Sequence, residues 1–341
     1  MHAINYEFLR LLTSLMKIGY ALTMTHLNTS DQLLRTAALE WLSDQVQKFG
    51  DVLPASMLQA GFEFRERQVP IISQQGIFRP QGFEVPISIR TGVNSPYNDA
   101  ETNEGLLRYD YESGGANRQS NAGLRQAMTQ KIPLVYLKIV QHRSPRQYLV
   151  LSPVYIIHDD PNSQSFLVNL EYAMGMHPGL VGSVREDHVA ESYHDIYDPK
   201  KQVERQYALR TYKQRLHQST FRENVLHAYR NQCTICSLRH RQLLDAAHIT
   251  PDSEADGFAI TSNGLSLCKI HHAAFDSNVL GISPDYQVHV REDILEEVDG
   301  PMLRHGIQEM HGKEILLPRG REQKPDKDRL ALRYEKFLAV G

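Results

Sequence analysis

Three cysteines and one histidine form two short pairs in the last third of the chain. Cys233 and Cys236 make a C-x-x-C pair, and Cys268 and His271 make a C-x-x-H pair. Zinc prefers four sulfur and nitrogen ligands in a tetrahedron, and two such turns supply them. The alternative is a set of unrelated core thiols, but all three cysteines of the chain lie at ligand spacing. The spacing therefore predicts a structural zinc site.

A second set of polar residues is interleaved with these pairs, namely His248, Asn263 and His272. Histidine titrates near neutral pH, so His248 can accept a proton from water. We therefore treat these three residues as candidate catalytic residues.

The stretch that holds both sets resembles the HNH (ββα-metal) endonucleases. The matching residues are Ala246-Ala247-His248-Ile249, Asn263-Gly264-Leu265-Ser266-Leu267-Cys268 and His271-His272-Ala273-Ala274-Phe275-Asp276. The resemblance implies hydrolysis of a phosphodiester, which needs a base for water, a divalent cation at the phosphate and stabilisation of the leaving oxygen. It implies that His248 lies on a β-strand as the general base. It implies that His272 binds a catalytic Mg²⁺ or Mn²⁺ from the following helix. Asn263 would either fix the loop or contact that metal through its amide oxygen.

One position departs from the family pattern. Many members carry a metal-binding His or Asp directly before the general base, where this chain has Ala247. Asp276 follows His272 by four residues, on the same face of a helix. Asp245 precedes Ala247 by two residues, on the same side of a strand. Both acids are candidates for the missing ligand, and the alternative for each is a solvated or helix-ending residue.

The charge of the chain is unevenly distributed along its 341 residues. The formal net charge of −3 does not indicate a polyanionic partner. Between Lys200 and His248, however, the sequence contains ten Lys or Arg residues and only three acids. This excess favours a DNA backbone near the candidate base, whereas the alternative is a solvated helix surface.

Cysteines at ligand spacing predict a reducing compartment, so a cytoplasmic protein is expected. No run of residues reaches transmembrane length, and no membrane partner is expected. Residues 1–23 have no clear signal-peptide features. They are either an upstream-start artefact or a loosely attached helix, and both alternatives stay open.

The length of the chain and the change along it from helical to strand-like sequence patterns predict an α+β protein with four parts. These are an uncertain N-terminal extension (1–29), a small helical unit (30–75), a β-rich domain (76–200) and a nuclease domain (201–341). In the second part we expect helices at 32–49 and 55–60 and a hairpin or single strand at 62–72, an order that resembles a winged-helix unit. The alternative is a helical cap on the next domain. Short strands around one helix at 121–129 then predict a barrel-like domain.

Part of that β-rich domain resembles the SRA domain, a PUA-like barrel. The residues that carry the resemblance are Tyr109 to Gly115, Asn121 to Met128 and Ile132 to Tyr136. The family flips a 5-methylated cytosine into a pocket, which needs aromatic faces and hydrogen-bond acceptors. The candidate base pocket is Tyr97, Asp99, Tyr109, Asp110 and Tyr111. The alternative for the tyrosines is ordinary half-buried strand aromatics.

The C-terminal half is expected to begin with a basic helix at 203–216. Thr220 to Glu223 has the pattern of a capping box and predicts a new helix start there. Strands are expected at 279–282, 287–290 and 315–317, and a terminal helix from Asp326 or Lys327.

The overall pattern resembles McrA-like modification-dependent restriction endonucleases. This predicts a type IV-like enzyme that hydrolyses double-stranded DNA carrying modified cytosine, with 5-methylcytosine as the expected base. A homodimer would be the simplest way to cut both strands. One alternative is a nicking or repair nuclease that reads another modification or DNA shape. The other is a zinc-stapled DNA-binding protein in which Ala247 marks a catalytically dead site.

Overall fold

The computed structural model describes residues 27–91, 100–102, 106–115, 117–141, 145–171, 173, 199–254 and 256–340. The chain is α+β, as predicted, and divides into two compact units, residues 1–216 and 217–341. The predicted N-terminal extension lies largely outside the described residues, as does most of the segment between 171 and 199. The predicted four-part division, with its boundary after residue 200, stays a prediction.

The first unit combines a mixed sheet with helices. Its elements are α1 (Thr29–Phe49), β1 (Val52–Pro54), α2 (Ala55–Ala60), β2 (Phe62–Phe64), β3 (Arg67–Val69), β4 (Ile77–Phe78), β5 (Ser88–Arg90), β6 (Ala100–Glu101), β7 (Leu107–Asp110), α3 (Gln119–Thr129), β8 (Leu134–Gln141), β9 (Gln147–Asp160) and β10 (Ser165–Asn169). The two early helices, their hairpin and the single later helix are confirmed. α1 begins three residues earlier than predicted because the side chain of Asn28 caps it.

Among the described residues the main sheet has eight strands in the order β4-β5-β8-β9-β10-β7-β6, with β1 paired to β9. The β5–β8 pair is parallel, and the other pairs in this sheet are antiparallel. β9 joins the two halves, because its first half pairs with β8 and its second half with β10. The result is a half-barrel, and its identity with the SRA fold stays a prediction.

β9 runs through Pro153 without a break. Proline has no N–H to donate to a sheet ladder and is tolerated where pairing is interrupted. Here the register between β8 and β9 shifts between Leu134 and Tyr136, which pair with Val154 and Leu151. Pro153 therefore lies opposite an irregularity, and one long strand forms.

The sheet is covered on both faces, which explains why β8 is almost continuously apolar. Val135 and Leu137 pack with the helical unit of residues 30–75. Leu134 and Tyr136 pack on the other face with α3 and with Ala208. The helical unit also contributes β1 to the sheet. It therefore forms a cap on the first unit, in agreement with the alternative to a winged helix.

A buried ion pair fixes this cap. Arg35 and Asp31 are fully buried, and Nε of Arg35 lies 3.2 Å from Oδ1 of Asp31. The guanidinium also donates to the carbonyls of Val85, Pro86 and Pro133 at 3.0–3.2 Å. Without these acceptors the N–H groups of the Arg35 guanidinium would be buried without hydrogen-bond partners. The ion pair therefore anchors α1 to the residues just before β5 and β8.

One long helix, α4 (Pro199–Ala228), replaces the two predicted helices. The capping-box prediction at Thr220 is wrong, since the helix continues through it without a break. No Gly or Pro lies between residues 200 and 228, so nothing in the sequence stops the helix. Tyr212 belongs to the core of the first unit, and Phe221 to that of the second. Packing at both ends favours the continuous helix over a local cap.

The second unit is built on a ββα core. Its further elements are β11 (Leu244–His248), β12 (Gly264–Cys268), α5 (Lys269–Asp276), β13 (Leu280–Ile282), β14 (Val288–Val290), α6 (Glu292–Glu296), α7 (Pro301–Gly306) and α8 (Lys327–Leu338). β11 and β12 form an antiparallel pair that places His248 opposite Gly264. The terminal helix is confirmed, with Asp326 as its N-cap.

The strand predicted at 315–317 is wrong. Ile315 donates its N–H to Tyr286, whereas Leu316 donates to Thr234, at 2.9 and 2.7 Å. Only an isolated bridge forms nearby, between Gln287 and Glu314. Because successive residues bond to different partners, no strand ladder develops. Residues 315–317 instead connect two separate segments of the second unit through their backbone hydrogen bonds.

Candidate functional site

The zinc ligands predicted from spacing come together in the second unit. The ligand atoms of Cys233, Cys236, Cys268 and His271 all lie within 4.8 Å of one another. Sγ of Cys236 is 4.0 Å from Sγ of Cys268, and Nδ1 of His271 is 3.1 Å from Cys268 and 3.5 Å from Cys233. A tetrahedron with Zn–S bonds of about 2.3 Å places its sulfurs about 3.8 Å apart. The four side chains therefore fit one zinc ion.

The local backbone explains how the ligands are presented. Cys233 and Cys236 lie on a turn closed by a bond from the N–H of Ser237 to the carbonyl of Cys233, at 2.9 Å. Ser237 takes the left-handed conformation, with φ of 62°. Nε2 of His271 is 2.8 Å from the carbonyl of Gly306 at the end of α7. That bond fixes the ring so that Nδ1 faces the sulfurs, as a ligand requires.

The ionisation of the four groups reflects the contacts that they make with one another. Hydrogen bonds from Cys233 and Cys236 lower the pKa of Cys268, so its thiolate is the favoured charged sulfur. Its neighbours Cys236 and Cys268, together with burial, raise the pKa of Cys233. Burial lowers the pKa of His271, but bonds to the sulfurs outweigh this and raise it to about 10. Binding of a divalent cation there would therefore displace protons from His271 and from the thiols that are still protonated.

His271 and His272 are neighbours on α5, but their side chains contact different groups of residues. His271 is buried in the zinc cluster, whereas His272 is half-buried and lies between two carboxylates. Its Nε2 is 3.3 Å from Oδ2 of Asp276, and its Nδ1 is 3.8 Å from Oδ2 of Asp245. Consecutive helix residues project about 100° apart, so one short helix serves both clusters.

The two candidate acids differ in their other partners. Asp245 accepts from Nζ of Lys269 at 2.8 Å and lies 3.4 Å from Nε of Arg222. Burial raises the pKa of Asp245, but the bond from Lys269 and the nearby positive charges outweigh it and lower the pKa. Asp276 is 62% exposed and is paired to His272. Asp276 therefore offers the carboxylate less committed to other cations, and it faces a ring nitrogen of His272.

Ala247, at the position where the family pattern has a ligand, is completely buried. It packs in the core of the second unit with residues such as Leu265 and Phe275. A larger polar side chain at this position would enter an apolar core. The departure from the pattern is thus built into the packing of β11, and any ligand must come from another residue.

His248 ends β11 and is half-buried. Its ring stacks on Phe221, with centroids 4.0 Å apart and an interplanar angle of 17°. Among the described residues its buried Nε2 has no hydrogen-bond partner. Burial lowers the pKa of His248, and the charges of His217 and His272 lower it further, against Asp252 and Asp276. The imidazole is therefore held neutral, which is the form that accepts a proton.

Asn263 is fully buried at the end of the loop that follows His248. Its Oδ1 accepts from the N–H of Thr250 at 2.8 Å, and its Nδ2 donates to the carbonyls of Thr250 and Phe258 at 3.0 Å. The N–H of Ile249 also donates to the Asn263 carbonyl at 3.0 Å. The amide is thus occupied by loop backbone, and it closes the loop directly after His248.

The predicted base-pocket residues do not converge where the structure describes them. Tyr97 and Asp99 lie outside the described residues. Tyr109 and Tyr111 are buried in the core of the first unit, and their hydroxyls bond to the Arg90 carbonyl and to Asp159. Asp110 lies on the opposite face of β7, 3.7 Å from Nε of Arg108. The base pocket stays a prediction.

Part of the basic excess before His248 is used inside the protein. Arg205 is 1% exposed. Arg222 donates to the carbonyl of Leu244 at 2.8 Å, and Arg241 pairs with the buried Glu223. These contacts hold the start of β11 against α4, so the excess available to a DNA backbone is smaller than the sequence indicates.

Two residues near His248 were missed by sequence reasoning, namely His217 and Asp252. Their charges act on the pKa of His248, and both line a cleft of about 320 Å³ with Glu254 and residues 257–260. Gly257 allows this loop to fold, because a Cβ there would collide with the carbonyl of Pro251. The signal for His217 was its place four residues before Phe221, on the same face of α4.

A family model described as "HNH endonuclease" matches residues 233–283. Those residues form an HNH endonuclease domain. They include His248, Asn263 and His272, together with the four predicted zinc ligands. No curated protein sequence matches the chain. One solved structure, "Modification dependent TagI restriction endonuclease", is similar at 16% identity and a TM-score of 0.28, covering 74% of this chain and 81% of that chain. In the described part of the chain, no helix is both long and apolar enough to cross a membrane.

Proposed function

We propose that this chain is a metal-dependent DNA endonuclease whose general base is His248. The observation that carries the proposal is the half-buried imidazole of His248 at the end of β11, stacked on Phe221 and close enough to His272 and Asp276 for their charges to act on its pKa. The match of residues 233–283 to the HNH endonuclease family supports the same chemistry.

His248 suits the role of base because of its charge state. A proton acceptor must be neutral before the reaction, and burial against Phe221 favours the neutral ring. When it takes a proton from water, the nearby carboxylates of Asp252 and Asp276 stabilise the imidazolium. His248 therefore accepts a proton without needing to hold a metal.

The donor set beside it fits a divalent cation such as Mg²⁺ or Mn²⁺. His272 and Asp276 offer a ring nitrogen and a carboxylate oxygen from one helix face, 3.3 Å apart. When bound there, the cation would polarise the scissile phosphate and stabilise the leaving oxygen. Asp245 would hold Lys269 and Arg222 in place beside the site rather than serve as the main ligand.

Asn263 contributes by shaping the backbone. Its three side-chain bonds fix Thr250 and Phe258, so the loop leaves β11 in one direction. That fixes the end of the strand that carries His248. In this proposal Asn263 positions the loop and does not bind the cation.

The finer proposal is a type IV-like, modification-dependent restriction endonuclease that recognises 5-methylcytosine in double-stranded DNA. The order of segments in residues 109–136 that resembles an SRA domain supports it. The first unit also contains a half-barrel sheet, and a barrel-like sheet is the architecture expected of such a reader domain. Alternative functions are a nuclease that reads another modification or DNA shape, and a zinc-stapled DNA-binding protein without cleavage activity.

One plasmid experiment separates these functions. Supercoiled plasmid with and without cytosine methylation is incubated with the full chain in Mg²⁺ or Mn²⁺, and nicked and linear products are measured. Cleavage of methylated plasmid alone supports the modification-dependent enzyme. Cleavage of both plasmids supports a nuclease with another reader. DNA binding without cleavage in either metal would overturn the enzyme proposal.

A further inference from the structure

The face of α4 that meets the HNH domain carries an aromatic ring directly on the candidate base. Phe221 is buried, and its ring lies nearly parallel to the imidazole of His248 at 4.0 Å between centroids. The ring belongs to the hydrophobic core of the second unit. It therefore touches both a rigid apolar layer and the catalytic side chain.

A glycine makes room for this ring. Gly264 pairs with His248 across the β11–β12 ladder, so it lies beside the base on the neighbouring strand. A Cβ at Gly264 would lie 2.9 Å from Cζ of Phe221 and would overlap a methyl group of Val225. Because such contacts are tighter than carbon atoms allow, only glycine lets α4 approach the hairpin this closely.

Within the described part of the chain, the His248 ring is not held by a hydrogen bond through its Nε2. Its buried Nε2 has no hydrogen-bond partner among the described residues, so no bond to a neighbouring group fixes the ring through this atom. The side chain of Asn263 is committed to the loop backbone. Stacking on Phe221 is the ring contact that the structure shows for His248.

We propose that Phe221 is a positioning residue for the general base, and that Gly264 is required because it admits the Phe221 ring to the face of His248. This inference rests on the proposed nuclease function. Phe221 acts by limiting rotation of the imidazole and by excluding water from one of its faces. It does not touch the DNA or the reacting atoms.

Two variants with comparable packing losses separate positioning from stability. Phe221→Leu keeps an apolar side chain but removes the flat ring. Val225→Ala, one turn later on α4, removes buried methyl groups from the same contact with Gly264 and leaves the stack in place. Both lose core packing, so both should lower the melting temperature of the second unit.

The kinetic readout is kcat against KM for plasmid cleavage at a temperature where both variants are folded. Phe221→Leu should lower kcat about 10- to 100-fold with KM nearly unchanged, as expected when a catalytic group loses its orientation. Val225→Ala should keep kcat within about twofold, since the base is still held. Equal kcat values for Phe221→Leu and wild type, or an equal fall in both variants, would overturn the proposal.

A spectroscopic measurement keeps the test independent of cleavage. Protons over an aromatic face resonate upfield, so the ring protons of His248 should be shifted upfield in the DNA-free protein and assigned by their loss in His248→Ala. The shift should disappear in Phe221→Leu and remain in Val225→Ala. If the shift behaves this way but no DNA is cut, the stack is correct and the nuclease proposal fails. If no such shift exists in the wild type, the positioning proposal fails whatever the activity.

Discussion

Asn263→Ala tests whether the loop after His248 is held by one buried amide. The substitution removes three side-chain hydrogen bonds, at 2.8, 3.0 and 3.0 Å. At about 0.5–1.5 kcal/mol each, they would contribute roughly 1.5–4.5 kcal/mol to stability. Phe258 is largely exposed, so water can solvate its carbonyl in the variant, and we expect a loss of about 2–3 kcal/mol.

This loss should be visible by calorimetry. The second unit spans residues 217–341, and for a unit of this size about 1 kcal/mol shifts the melting temperature by roughly 3–6 °C. The transition of the second unit should therefore fall by roughly 10 °C. Trp41, the single tryptophan, lies in the first unit, and its fluorescence transition should move little. Asn224→Ala, at an exposed position on α4, is the matched control and should be nearly neutral.

The folded Asn263→Ala variant should also cleave DNA more slowly. The loop after His248 would have lost its side-chain hydrogen bonds, so the position of His248 at the end of β11 would be less well fixed. Zinc content should not change, since no ligand contacts Asn263. A melting temperature within about 2 °C of wild type would show that the loop is held by other contacts, and would refute this reasoning.

Three further predictions follow from the contacts described above. Asp276→Asn should raise the Mg²⁺ or Mn²⁺ concentration needed for half-maximal cleavage more than Asp245→Asn, because Asp245 is already paired with cations; the reverse order would exchange their roles. Arg35→Met should lower the denaturation free energy of the first unit by about 3–5 kcal/mol, because it leaves Asp31 buried without its partner. Burial lowers the pKa of His248, so kcat should persist as the pH falls through about 6.5 and decline only below it.

The cluster of Cys233, Cys236, Cys268 and His271 was predictable because its information is local. Two ligand pairs, each on a tight turn, leave little freedom for the metal geometry once the turns meet. The roles of Asp245 and Asp276 were not predictable in the same way. Spacing placed both near His272, but only the contacts of Asp245 with Lys269 and Arg222 distinguish them. Those partners come from other elements, and sequence periodicity carries no information about them.

The errors in the fold have a similar origin. The pattern at Thr220 is a sound local signal for a helix start, but packing at both ends of α4 outweighs it. The apolar run at 315–317 resembles a strand, yet its backbone bonds are divided between Tyr286 and Thr234. The stack of Phe221 on His248 was also invisible, because apolar spacing on a helix indicates a buried face and does not identify what the face covers.

The central claim is that His248 is the base of a metal-dependent nuclease, and the cleavage rate of His248→Ala tests it most directly. The variant should bind DNA and zinc as the wild type does, because it removes neither a zinc ligand nor a loop contact. Its cleavage rate should fall by about 100- to 10,000-fold, the range for loss of a positioned base, and excess Mn²⁺ should not restore it. Excess Mn²⁺ should partly restore His272→Ala, which weakens the cation site instead. Cleavage by folded His248→Ala at close to the wild-type rate would contradict the account.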